Sequence, residues 1–270
     1  MRLLPALRCL AVAFLAGAGA AEAASVPAPS RFSCERSLSD DAIASVSARG
    51  EFALVSGRTI RLLDIRWPVE DDEFRRSLAW LQSLGGRRVT VAALVGAADR
   101  WGSLAADVAL LGEAAPVDIA GLLVDEGLAL VDAGARNLLC RRELLAGEER
   151  ARTRRRGLWA SDRHGPVGAH DTARLRALVG QFTLVTGVVR SVGERRERTY
   201  LNFGTDWTTD MTITIPKRTW AMMRERGLSA AALKGKRVRA RGILEEWQGV
   251  AVEINAADML EVPGQEVTQP

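Results

Sequence analysis

The chain is poor in residues that hold metals. Its 270 residues include two histidines, His164 and His170, both in a stretch containing Gly and Pro, and three cysteines. No cysteine has a histidine or a second cysteine at ligand spacing, which excludes a zinc site as an expectation. The sequence also lacks an apolar run of the ~20 residues that span a bilayer; the stretch from Leu10 to Ala20 falls short of it. Bulk disorder is excluded as well, because 47% hydrophobic and 26% charged residues describe a globular protein, long enough for two domains of ordinary size. The two halves show no convincing internal repeat.

What is present begins with a leader. Arg2 and Arg8 precede the apolar run, and Ala21 and Ala23 bracket Glu22 as an A-x-A cleavage site. Residues 1–23 therefore read as a secretory signal peptide, giving an exported bacterial protein, periplasmic or secreted, with no membrane span after its removal. Cys9 would leave with the leader. Two cysteines, Cys34 and Cys140, remain, and an even number in an oxidising compartment favours a disulfide over two buried thiols. The formal net charge of +4 permits an acidic partner without requiring one.

Composition shifts divide the rest. Residues 24–41 form a Pro/Ser-containing N-terminal arm, 42–161 a first folded unit, 162–178 a linker, 179–263 a second unit and 264–270 a tail. In the first unit, "GEFALVSGRTIRLLDI" is two strand-like runs joined at Ser56-Gly57. From Asp71 the period becomes helical, with Phe74, Leu78, Trp80 and Leu81 recurring until Gly85-Gly86. A second hairpin, a short helix ended by Gly127, a strand and a closing helix from Leu138 to about Arg156 complete it. In the second unit, five strand-like runs with a helix from Lys217 to Gly227 between the third and fourth suggest a small five-stranded barrel of the OB type.

Four pieces of the first unit carry a family resemblance: "GRTIRLLDIRWP", "DRWGSLAADV", "DIAGLLVDEGLALV" and "LLAGEERARTRRRGLWA". In this order and spacing they resemble the staphylococcal nuclease-like (thermonuclease) family over about Ala42 to Ala160. The resemblance implies an α+β fold, mainly β: an OB-like five-stranded barrel with three helices, here followed by a second small OB-like barrel. Active members cleave phosphodiester bonds with calcium, using carboxylates to hold the metal and two arginines to neutralise charge on phosphorus. Placed on this sequence, the family's carboxylate positions fall on Gly50, Arg66 and Val69, and a further site position on Trp67. The second arginine position falls on Ser103, and only Arg61 is retained. The resemblance thus implies a degenerate nuclease with no cofactor. Calcium enters only if an active phosphodiesterase uses relocated carboxylates, for which Glu51, Asp64, Glu70, Asp71 and Asp72 are the nearby acids.

Two binding surfaces are expected beside this. Strand alternation in "GKRVRARG" puts Arg237, Arg239 and Arg241 on one face, either a phosphate-tracking stripe or an ordinary solvated face, with Tyr200, Phe203 or Trp207 available for base stacking. Trp101 is a possible aromatic platform in the old cleft, or else core. The expected partner is nucleic acid, bound without sequence preference, or otherwise an envelope partner, with the protein acting as a binding or scaffold module.

Overall fold

The computed structural model describes residues 34–68, 72–112, 115–206 and 208–264. The leader, Val69, Glu70, Asp71, Trp207 and the residues after 264 lie outside the described residues.

The first unit opens with β1 (Arg36–Val46), β2 (Phe52–Leu54), β3 (Thr59–Leu62) and the short β4 (Ile65–Arg66). Gly57, in the left-handed region, turns β2 into β3, at the Ser56-Gly57 site read from the sequence. Helix α1 (Asp72–Gln82) follows, with Asp72 and Glu73 in its first turn, where the helix dipole favours acids. Its Leu81 is fully buried, while Leu78 and Trp80 pack partly buried against the same core. Then come β5 (Arg88–Ala98), β6 (Leu104–Leu110), β7 (Val117–Asp118), α2 (Ile119–Asp125), β8 (Leu130–Val131) and α3 (Glu143–Thr153).

Strands β3, β2, β1, β5 and β6 are hydrogen-bonded in that order, and β3 pairs in parallel with β6, which closes a five-stranded mixed barrel. Its interior is apolar: Ile43, Phe52, Ile60, Val89, Val91 and Ala106 are completely buried. Residues 36–41 of the expected N-terminal arm are strand, for β1 pairs with β5 from Arg36 opposite Leu94 to Ala42 opposite Arg88. The closing helix is shorter than its sequence pattern. Residues 138–142 are held elsewhere, Cys140 in a disulfide and the Arg141 amide by the Asp64 carboxylate.

The Gly-Leu-Trp ending has a steric cause. The Leu158 amide donates to the Gly127 carbonyl at 2.8 Å, and a Cβ on Gly157 would lie 2.4 Å from that same oxygen. Only glycine permits this approach, which seats Leu158 and Trp159 in a small core with Leu130, Ala151 and Leu184.

The expected linker also carries structure: β9 (Val167–Gly168) and α4 (Thr172–Ala177), capped by the Asp171 carboxylate accepting from the Arg174 amide. The second unit continues with β10 (Phe182–Val188), β11 (Ser191–Glu194), β12 (Arg198–Asn202), β13 (Met211–Pro216), α5 (Lys217–Glu225), α6 (Ala230–Leu233), β14 (Arg237–Glu246), β15 (Val250–Glu253) and β16 (Leu260–Glu261). Its strand order is β11-β12-β13-β15-β14-β10-β9, with β16 on β14. Among the described residues no pairing joins β11 to β9, so the closed second barrel expected from the sequence is not seen. The first of the strand-like runs of the second unit, "FTLVTGVVRSV", is divided between β10 and the start of β11. The Val189 amide donates to Lys236 beside β14, and the Arg190 amide to Asn202 of β12.

Polar contacts join the units. Asp258, 5% exposed, takes an ion pair from Arg142 of the first unit at 2.8 Å and another from Arg226 of the second at 2.8 Å. The Leu139 amide also donates to it. No helix among the described residues is long and apolar enough to cross a membrane.

Candidate functional site

Of the positions singled out by the sequence, Gly50 and Trp67 are in contact, and Arg61 faces Asp99 in the turn before Ser103. Gly50 sits in the turn from β1 to β2 with φ +75°, its amide donating to the Ser47 carbonyl at 2.9 Å. A Cβ built on it would stand 2.8 Å from the indole Nε1 of Trp67. The indole therefore fills the space that a carboxylate side chain at position 50 would need. Trp67 is held in turn by Phe74 of α1, ring centroids 5.5 Å apart.

Arg66, on β4, points its charge away from any anion-binding role of its own. Its Nε lies 2.7 Å from Asp132, and its guanidinium lies 5.0 Å from the ring centroid of Phe182, on β10 of the second unit. Arg61, on β3, is half exposed and lies 3.6 Å from the Asp99 carboxylate. The other oxygen of Asp99 accepts from the amides of Trp101 and Ser103, at 2.9 and 3.0 Å. Ser103 is buried, so its position shapes the turn into β6 rather than reaching toward Arg61 as an arginine would. Trp101 is 70% exposed, with the Arg100 guanidinium 3.9 Å over its ring, and is a surface residue rather than core.

The described acids nearby are committed to other partners. Glu51 pairs with the exposed Arg49, and Asp72 with Arg75 on the surface of α1. Asp64 is buried, ion-paired with Arg136, and accepts from the Arg141 amide at 2.6 Å. Burial pushes its carboxyl above the ordinary aspartate range in spite of Arg136. The residues at positions 50, 66 and 67 do not fit a calcium ion: one has no side-chain oxygen, the second is a cation engaged with Asp132, and the third is an indole.

The arginine stripe of β14 is redistributed. Arg237 is exposed at the strand start, opposite Val188. Arg239 is ion-paired with Glu149 of α3 at 2.7 Å and with Glu261 at 3.6 Å. Arg241 is completely buried between Glu148 of α3 and Glu261 of β16. Glu148 also accepts from the Val131 amide at 2.9 Å. Burial works against the Arg241 charge, but Glu148 and Glu261 outweigh it and hold its pKa above the ordinary arginine value. Arg241 thus cannot track a phosphate, which corrects that part of the expectation: a charge on the face turned toward α3 is desolvated, so it demands a carboxylate. Phe203, a stacking candidate, is buried in the core; Tyr200 lies half-buried on the surface of β12.

Cys34 and Cys140 form a disulfide, Cα atoms 5.5 Å apart, fastening the start of the first barrel to the segment before α3. A bridge across a separation of this size contributes up to about 4 to 5 kcal/mol in the chain-entropy account. Beside it Arg141, nearly buried, bridges Asp107, Asp118 and Glu143. Sequence reading missed these carboxylate partners. The ion-pair partners of Asp99, Asp132, Glu148 and Glu261 were not foreseen either, although Asp99 and Glu148 lie in the quoted pieces, because pairing depends on segments apart in the chain.

No protein-family model matches this chain, and neither does any curated protein sequence.

Proposed function

We propose that this is an exported, thermonuclease-like protein without catalysis, whose first barrel serves as a scaffold and whose second unit is an OB-like binding module. The single observation that carries the loss of catalysis is the indole of Trp67 against Gly50. With Arg66 held by Asp132 and Arg61 facing Asp99, the described residues at these positions offer neither an oxygen cage for a divalent ion nor a pair of free arginines for a phosphoryl group. The OB-like reading of the second unit is supported by its strand order. A continuous bend at Val189-Arg190 takes one run of chain from β14 to β12, so the path β11-β12-β13-β15-β14-β10 returns to the chain segment from which it started. The helix α5 follows the third of these runs. Export is supported by the disulfide, which persists in oxidising compartments.

The test is a cleavage assay on plasmid, single-stranded DNA and RNA with calcium, magnesium or manganese. No cleavage is expected. Metal-dependent cleavage that disappears in Arg61→Ala would overturn the proposal and favour the relocated-carboxylate enzyme.

A further inference from the structure

The second unit carries a groove of about 420 Å³ lined from β11, β12, β13 and the turn between β14 and β15. This volume lies within the roughly 300–1,000 Å³ of small-ligand sites. Two aromatic residues line it, Tyr200 from β12 and Trp247 from the turn, the latter 52% exposed. With them are Asn202, Thr212 and Gln248, and one cation, Arg195. Thr212 Oγ1 donates to Asn202 Oδ1 at 3.4 Å across β12 and β13, and Asn202 Nδ2 donates to Ser191 Oγ at 3.3 Å, so these groups are fixed by strand register and offer a ligand their second lone pair or second amide hydrogen.

The chemistry of this lining discriminates among ligands. Aromatic rings offer flat apolar platforms, and side-chain amides and hydroxyls both donate and accept. A pyranose ring has the matching pair of surfaces, an apolar face of C–H groups and an edge of hydroxyls. A polyphosphate chain needs several cations to replace its counterions. Here Arg196 is paired with Glu197 and Arg198 with Glu253, while the exposed Glu245 and Glu246 immediately precede Trp247. The surroundings of Arg195 therefore do not favour a polyanion. An apolar peptide would make no use of the Gln248 amide or of the bonding capacity that Asn202 and Thr212 keep beyond their bonds to each other and to Ser191.

We infer that this groove binds a neutral oligosaccharide, its sugar rings stacked on Tyr200 and Trp247 and its hydroxyls bonded to Asn202, Thr212 and Gln248. The inference rests on the reading of the second unit as a binding module and names that module's ligand class. All of its described lining residues belong to the second unit, so its ligand is independent of the phosphodiester chemistry that the first unit resembles.

The experiment is isothermal titration of the full mature chain with chitotetraose, cellotetraose and maltotetraose, and with a twelve-residue oligothymidylate for comparison. Saturable binding of at least one glycan is expected, weakened about tenfold or more by Trp247→Ala or Tyr200→Ala, the equivalent of one lost stacking contact. Affinity should change less than about twofold between roughly 50 and 200 mM salt, because no counterions are released. Unchanged thermal melting of both variants shows that they fold, and Leu38→Ser, on the exposed side of β1, should bind as the parent does. Three results overturn the inference: no heat with any glycan, binding that survives both aromatic replacements, or salt-sensitive oligothymidylate binding lost in Trp247→Ala. A silent cleavage assay alongside any of these leaves the non-catalytic reading standing, whereas cleavage with intact glycan binding removes that reading alone.

Discussion

In the first unit Trp67 lies against Gly50, Asp132 holds Arg66 and Asp99 faces Arg61; in the second, Tyr200 and Trp247 line an open groove beside an arginine with no carboxylate partner among the described contacts. Both regions are rich in aromatic and cationic side chains, so composition does not separate them. What separates them is whether each group's partner comes from within the chain. An aromatic ring that packs on the backbone of a neighbouring turn, or a guanidinium that a carboxylate has already claimed, contributes to stability and is lost to recognition. The same distinction runs along a single strand, where Arg237 is exposed, Arg239 is paired and Arg241 is buried between two glutamates.

The largest effect expected from this contrast is at Arg241. Arg241→Met removes the cation between Glu148 and Glu261 and leaves the buried Glu148 with only the longer 3.6 Å pairing to Arg152, which costs about 3 kcal/mol. Glu148→Gln in the same chain removes the stranded charge and keeps an acceptor for the Val131 amide, so the double variant should regain much of the loss. Urea denaturation measures both. If Arg241→Met is neutral, the pair does not join α3 to β14 and β16 as described.

The strands, turns and helix starts were legible because they depend on local chemistry. The Ser56-Gly57 turn, the acidic start of α1 and the glycine after α2 each announce themselves within a few residues. That position 50 is a glycine is plain in the sequence, but not what stands over it, since nothing near Gly50 says that the Trp67 ring would turn toward it. Strand alternation correctly set Arg239 and Arg241 apart from the core-facing Val238 and Ala240. It could not show that α3 covers that outer face, because the cover comes from about ninety residues earlier. The arm and the linker were read as connections for want of apolar period. Residues 36–41 of the arm pair with the distant β5, and the linker holds the two-residue β9 on β10 and the helix α4.

A smaller effect tests the first unit directly. Gly50→Ala places a methyl group against a rigid indole in a left-handed backbone conformation, for an expected loss of about 1 to 3 kcal/mol. In a Trp67→Ala background the backbone cost remains and the collision is gone. The cycle should therefore show a coupling of about 1 kcal/mol, within the range found for residues in contact. Strict additivity would mean that the indole does not occupy the space above Gly50, and would reopen the cleft to a side chain at that position.

The smallest effect belongs to Arg237. It stands at the start of β14 opposite Val188, exposed, with no ion pair among the described contacts, so its replacement removes neither a buried contact nor a partner for a buried charge. Arg237→Ala should leave stability within about 0.5 kcal/mol, as for other surface changes away from such features. For a chain of this size that corresponds to a melting shift of about 1 to 2 °C. Arg237→Ala and Arg241→Met delete the same functional group from the same strand, four residues apart, so they differ chiefly in burial and partners. Calorimetric melts of the two variants side by side should separate them by several kcal/mol; equal losses would show that β14 is equally covered at both ends and that the division between free and claimed arginines on this strand is wrong.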